Sequence, residues 1–451
     1  MTDKFDLIII GSGSGNAIPD YLDDWNIAMV ERSTFGGTCL NVGCIPSKMF
    51  VLPADVAESA KHGAHLGVDT SFNGVDWPAI RDRVFNRIDP ITAGGEEYRE
   101  SGTPNLELIR GTARFKGDRE LEVDGRTISG HKVLIAAGSR PTLPPVPGLS
   151  LARFHTSDSI MRLDHFPSRL GIIGGGFIAA EMGHVFAGFG AEVTIFNRSN
   201  QLLRAQDHEI SERFTEVFGS RAELCLGHVP EKVEQDGDSI IVYSKGDRFE
   251  FDELLVASGR ESNSDLLDVG SGGIETHHNG RVLVDEFMQT NADNVYAIGD
   301  IANDWQLKHV ANREAEIAFW NLAHPDDLRA MDYSVVPSAV FSDPQVASVG
   351  LTEHQAKDQG LPYRVGRRDY SGTAFGWALE DSTSFAKVLV NAETDLIIGA
   401  HIIGPQAASL IQVLTQAMQF GQTASQLASE VLYIHPALTE VVENALLDVV
   451  D

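Results

Sequence analysis

The chain has 451 residues, 43% of them hydrophobic, with 35 Lys and Arg against 64 Asp and Glu for a net charge of -29. That length admits three or four domains with full apolar cores, and the acidic balance argues against nucleic acid or an anionic membrane surface as partner. With 3 cysteines it is no disulfide-stapled scaffold. Met1-Thr2-Asp3-Lys4 runs into a strand without a signal peptide, and no apolar run reaches membrane-span length, so a reducing cytoplasm is the expected compartment.

Residues 5–10 read as a buried parallel strand, followed by Gly11-Ser12-Gly13-Ser14-Gly15-Asn16. A short helix and a second strand, residues 27–30, then close on Glu31, 20 residues beyond Gly11. Strand, glycine turn, helix and acid-ended strand are the layout of a dinucleotide-binding fold. Gly11 permits the tight turn, and Gly13 lets the backbone approach a pyrophosphate seated on the helix N-terminus. Glu31 can accept hydrogen bonds from a ribose. Asn16 stands in place of the third fingerprint glycine, and the crossover helix contains Pro19.

Next comes Gly36-Gly37-Thr38-Cys39-Leu40-Asn41-Val42-Gly43-Cys44-Ile45-Pro46-Ser47-Lys48. Four residues between the cysteines close a small loop, and the glycines let the backbone turn and approach a flat ligand. Pro46 suits the first turn of a helix. Cys44 then lies near a helix N-terminus, whose dipole stabilises a thiolate. A zinc half-site or two buried structural thiols is the bland alternative, but no second ligand pair accompanies the first. In a reducing compartment a close cysteine pair is more often catalytic than structural.

Residues 133–138 form a strand ending in Ala136-Ala137-Gly138, and Pro144-Pro145-Val146-Pro147-Gly148 reads as a linker. A second dinucleotide layout follows: a strand at 170–173, Gly174-Gly175-Gly176-Phe177-Ile178-Ala179, a helix through Glu181, and a strand at 192–196. Ala179 is an accepted small residue at the third position. Two such folds suggest two dinucleotides. A strand at 253–259 ends in Gly259 and closes the unit near residue 262; a strand at 294–300 ends in Asp300. Cys225, in a strand at 222–226, reads as a small buried hydrophobe. From residue 335, strands at 386–390 and 396–403 and a helix at 407–421 read as an α+β domain.

Five separated blocks now stand in order: Gly11 to Gly15, Cys39 to Lys48, Gly174 to Glu181, Tyr296 to Asp300, and His435-Pro436-Ala437-Leu438-Thr439-Glu440. On these blocks, over essentially its full length, the chain resembles the pyridine nucleotide–disulfide oxidoreductases, flavoproteins that include glutathione reductase and dihydrolipoamide dehydrogenase. The resemblance implies an α/β protein with two Rossmann-like dinucleotide-binding domains plus a C-terminal α+β dimerisation domain. It places FAD in residues 1–147 and 263–334, the nicotinamide nucleotide in 148–262 and the dimer interface in 335–451. FAD is expected at Gly11, Gly13, Gly15, Glu31, Gly37, Thr38, Lys48, Gly138 and Asp300. The nicotinamide nucleotide is expected at Gly174, Gly176, Phe177, Ala179 and Gly259, with Phe177 covering the flavin and moving aside.

By the same resemblance Lys48 and Glu181 pair beside flavin N5, Cys44 is the thiol nearest the flavin, and Cys39 attacks the substrate disulfide. His435 is the acid–base residue and Glu440 orients it; an imidazole pKa of about 6.5 suits that task. In the family the histidine serves the partner's cysteines, so a homodimer with an active site shared between chains is expected. The remaining histidines, His309 included, receive no function.

At the end of the second strand of the second fold stands Asn197, with Arg198 next and Arg204 further on. Two guanidiniums and no carboxylate suit a 2′-phosphate, so the expected nucleotide is NADPH rather than NADH. From Phe5 to Glu31 there is no Lys or Arg, but Asp20, Asp23 and Asp24 are present, a poor receptor for the carboxylates of glutathione disulfide. The first glycine block, its short helix and the Cys39 block look most like the mycothione-reducing branch of the family. That substrate offers hydroxyls and amides. An NAD-linked dihydrolipoamide dehydrogenase and a glutathione-reductase-like enzyme are the alternatives. The end of the chain, Leu446 to Asp451, carries no extra cysteine pair, which argues against large thioredoxin reductases and mercuric reductase.

Overall fold

The computed structural model describes residues 2–450. Its first sheet grows from Asp3–Ile10, whose Leu7, Ile8 and Ile9 are fully buried. A strand covered on both faces reads as such a continuous apolar run. It pairs in parallel with Ile27–Glu31 on one side and Arg126–Ile135 on the other. Leu106–Arg110 extends the sheet beyond Ile27–Glu31, and Val295–Ala297 pairs with the end of Arg126–Ile135. The start of Arg126–Ile135 also closes an antiparallel meander with Ala113–Gly117 and Glu120–Val123.

The second sheet is all parallel, in the spatial order Glu223–Leu226, Glu192–Asn197, Arg169–Ile173, Glu253–Val256. A three-stranded antiparallel sheet, residues 232–251, packs on it through Val233, Val242 and Phe251. The chain enters and leaves this unit through adjacent strands: Ser139–Pro141 pairs antiparallel with Arg260–Ser262. The third layer system is a five-stranded antiparallel sheet, residues 338–403, with helices Ala407–Gln419 and Thr439–Val450 in its core.

Two features depart from the sequence reading. Residues 11–26 contain no α-helix, only the 3-10 turns Ser14–Asn16 and Asp20–Leu22 on either side of Pro19. A three-residue turn has no aligned peptide dipoles to sum, so no helix N-terminus receives a pyrophosphate there. Instead Arg99 holds the turn, donating from Nε to Asn16 Oδ1 at 2.7 Å and from Nη2 to the Asn16 carbonyl at 2.9 Å. Secondly, three strands stop short of their expected ends, at Ile135, Val256 and Ala297. The residues beyond, Ala136 to Gly138 and Ile298 to Asp300, leave the ladder to line a cleft. That is the carboxyl edge where open parallel sheets bind ligands.

Candidate active site

Cys39 lies in the short helix Gly37–Asn41 and Cys44 opens the long helix Cys44–His62. Buried Asn41 fixes the first of these. Its Nδ2 donates to the Phe35 carbonyl at 2.8 Å and to that of Gly37 at 3.0 Å, and its Oδ1 accepts from Thr92 at 2.6 Å. Gly37, at φ +73, touches the first glycine turn so closely that a Cβ there would stand 2.7 Å from Gly13 Cα. Gly15 packs beneath, where a Cβ would stand 2.9 Å from Ile9 and from Ala136. It thus supplies the close packing of the missing third glycine.

Both thiols are free. Cys44 is held down to about 7, first by the hydrogen bond it accepts from the Cys39 thiol, then by the Lys48 ammonium and its own N–H at the helix start. Burial and Glu181 oppose this. The same hydrogen bond, with burial, pushes the Cys39 thiol far up. The pair therefore keeps one proton on Cys39 and, above neutrality, a negative charge on Cys44. In the reduced protein, thiolate ultraviolet absorbance should rise by one equivalent through about pH 7. A pair that stays protonated beyond pH 8.5, the ordinary range for a free thiol, would contradict this geometry.

Lys48 Nζ reaches both oxygens of Glu181, at 2.7 and 2.8 Å. The two meet because the helices Cys44–His62 and Phe177–Gly188 pack where Gly188 faces Ala54. Glu181 is 5% exposed, accepts a further bond from Phe341 N at 3.0 Å, and Lys48 lies 4.8 Å over the Phe341 ring. A carboxylate so buried needs this full set of partners.

One cleft of about 1400 Å³ collects Gly11, Gly13, Glu31, Gly37, Thr38 and Gly138 with Cys39, Cys44 and Lys48. Phe177, Glu181 and Asp300 line it as well. Asp300 accepts from Ser139 Oγ at 2.6 Å, and Arg260 donates to the same hydroxyl at 2.8 Å. Glu31 ends its strand inside the cleft, but its oxygens already accept four bonds, from Ser12 and Ser33 N–H and hydroxyl groups. A ribose there must displace the two hydroxyls. Neither serine carried a sequence signal beyond its place in the glycine turn or beside the acid.

Other expected residues lie outside this cleft. Gly174 and Gly176 form the second turn, Ala179 is buried beneath it, and Gly259 follows the strand Glu253–Val256. Arg198 and Arg204 are exposed, and neither forms an ion pair or side-chain hydrogen bond among the described residues. Asn197 turns inward, donating to Ser199 O at 3.2 Å and Gln201 O at 2.9 Å. His435 Nδ1 lies 2.7 Å from Glu440 Oε1, and the histidine is 73% exposed, far from enclosed by its own chain. His309, by contrast, lines the cleft and meets the Pro337 carbonyl at 2.9 Å.

The pyridine nucleotide-disulphide oxidoreductase pattern matches residues 5–315, and the dimerisation domain of the same family matches 336–446. The chain belongs to the pyridine nucleotide–disulfide oxidoreductases. This oxidoreductase is 45% identical to the mycothione reductase of Mycobacterium tuberculosis (strain CDC 1551 / Oshkosh), over 99% of each chain. It is 36% identical to the mercuric reductase of Staphylococcus aureus, covering 94% of this chain and 78% of that one. It is 33% identical to the dihydrolipoyl dehydrogenase of Chlamydia pneumoniae, over 99% and 97%. Among solved structures it superimposes on the HOCl-induced flavoprotein disulfide reductase RclA from Escherichia coli, with TM-score 0.87 and 26% identity over 98% of this chain and 100% of that one.

As a member of this family the protein is an FAD-dependent NAD(P)H:disulfide oxidoreductase carrying a dimerisation domain. The cleft fits the flavin: it is large, closed by glycine backbones and ended by an acid. Gly37→Ala should lower FAD affinity by about 100-fold, because a methyl at that contact forces two loops apart. Flavin retained on gel filtration checks this; full retention would mean the contact does not shape the site. No described helix is long and apolar enough to cross a membrane.

Proposed function

We propose that this enzyme reduces a low-molecular-weight disulfide, mycothione, at the expense of NADPH, in the cytoplasm. The meeting of the Cys39 and Cys44 thiols with the Lys48–Glu181 pair in one cleft carries the disulfide chemistry. End-to-end likeness to the mycobacterial mycothione reductase favours the substrate. So does the lack of any Lys or Arg from Phe5 to Glu31, which leaves nothing there for glutathione carboxylates.

Gly11, Gly13, Gly37 and Asp300 would hold FAD, which would supply two-electron transfer between the nicotinamide nucleotide and the Cys39–Cys44 disulfide. Lys48, held by its ion pair with Glu181, keeps its ammonium beside Cys44. Phe177 would cover or open the nicotinamide path, a role its 44% exposure at the start of its helix supports. Cys39 attacks one sulfur of the substrate disulfide: a Cys39–substrate bond forms, the substrate bond breaks, and one thiolate leaves. His435 of the second subunit gives that thiolate a proton. The Glu440 contact orients the ring at Nδ1, leaving Nε2 for the transfer. Cys44 then attacks Cys39, restoring their disulfide and expelling the second thiol.

Arg198 and Arg204, exposed and uncommitted, suit the 2′-phosphate of NADPH. Replacing both with alanine should raise KM for NADPH by about 100-fold and leave that for NADH near its parent value. Equal effects on both nucleotides would remove them from that role. The whole reading is tested by nucleotide oxidation with mycothione, glutathione disulfide and lipoamide side by side. Turnover with mycothione and NADPH supports it. Turnover only with lipoamide, better with the NAD couple, would make the enzyme a dihydrolipoamide dehydrogenase, the second reading, which the 33% identity to such an enzyme favours.

A further inference from the structure

Two lysines flank the dithiol, and they are held differently. Lys48 is neutralised by Glu181. Lys308, the first residue of the helix Lys308–Ala323, is half-buried in the same cleft, and no carboxylate pairs with it among the described residues. Its Nζ donates to Ser14 Oγ at 2.9 Å. Ser14 follows Gly13, which abuts Gly37, two residues before Cys39. Burial pulls the Lys308 ammonium down, while both cysteines act on it in the opposite sense. In return, Lys308 is the cation that favours a Cys39 anion. Within the chain the other charged groups facing the pair, Lys48 and Glu181, act on Cys44; in the proposed dimer His435 of the partner subunit faces Cys39 as well. A half-buried cation without a counter-ion interacts with a nearby thiolate more strongly than a paired one does.

We infer that Lys308 is a positioning residue for the disulfide half-reaction, an unpaired cation that stabilises negative charge on Cys39 when the pair is reduced. Charge that rests on Cys44 beside Lys48 must pass to Cys39 before substrate is attacked, and Lys308 offsets the cost of that transfer. The inference rests on the proposed role of Cys39 and Cys44 as the redox pair. Since the cation interacts with a thiolate on either sulfur and not with the uncharged disulfide, its loss should make reduction harder.

The experiment uses FAD-loaded parent, Lys308→Gln and Lys308→Arg proteins, equilibrated in graded dithiothreitol buffers, with thiols counted by alkylation and mass. A second readout is the pH profile of Cys39 alkylation. Lys308→Gln should shift the dithiol–disulfide equilibrium toward the disulfide by about tenfold, which is about 30 mV for two electrons. It should also lower the plateau rate of Cys39 alkylation by about tenfold, because the shared charge then sits on Cys39 less often, and Lys308→Arg should restore both. Lys308→Met gives the same readouts if the glutamine variant does not fold. An unchanged equilibrium and profile would overturn the inference. So would a variant that sheds FAD while its FAD-free equilibrium matches that of FAD-free parent, since Lys308 would then anchor the cofactor. A parent protein that yields no reducible Cys39–Cys44 disulfide fails differently: it removes the redox-pair reading itself.

Discussion

Cys39→Ser is expected to lower disulfide turnover by about 10⁴-fold or more, the scale seen when an enzyme loses its nucleophile, with FAD still bound. A serine hydroxyl at this position is far too basic as an oxyanion to attack a disulfide sulfur. It can nevertheless take over the donor role that the Cys39 thiol plays toward Cys44. The negative charge on Cys44 beside Lys48 should therefore survive, and with it the environment of the flavin. Backbone contacts should persist too, because the helix Gly37–Asn41 is held by Asn41 and by the Gly37–Gly13 approach, not by the Cys39 side chain. The measurements are retained flavin, nucleotide-dependent flavin reduction in a single turnover, and steady-state reduction of the substrate disulfide. Loss of only the last supports the assignment. Normal steady-state turnover would show that another thiol attacks the substrate.

Residues that act through chain-local geometry were readable in the sequence. The spacing of Cys39 and Cys44 and the position of Pro46 place one thiol at the start of the helix Cys44–His62. The alternation of strand and glycine turn marks the parallel core of the first sheet and the whole of the second. The glycines of the first crossover fit the fingerprint of a helix, but Pro19 and the brevity of residues 11–26 leave room only for 3-10 turns. Strand ends are not legible in the sequence, because Ala136, Ala137 and Ile298 are as apolar as a ladder but lie beyond its last pairing, on the cleft wall. Lys308 was invisible for a different reason. Nothing within its own helix marks it, and its meaning arises only where that helix meets Ser14, 294 positions earlier in the chain.

Mixed dimers test the sharing of the site between chains. His435 and Glu440 lie together but outside the cleft that holds Cys39 and Cys44. Around them Leu432 and Ile434 are 97% and 74% exposed, an apolar surround suited to burial by a second copy. His435→Ala alone should slow the disulfide half-reaction by about 10³-fold, the ordinary worth of a placed acid–base group, and spare flavin reduction by NADPH. Cys39→Ser alone is inactive as argued above. In a twofold dimer that pairs these two chains, one site receives its cysteines from the His435→Ala chain and its histidine from the Cys39→Ser chain, so it is whole; the other lacks both. Random assembly makes half of the dimers mixed, each with one working site of two, so co-expressed variants should recover about a quarter of parent turnover. If His435 served the cysteines of its own chain, no mixed dimer would hold a complete site. Activity would then stay at the level of the separate variants. The recovery therefore reads the source of the proton donor directly, independent of which disulfide is offered.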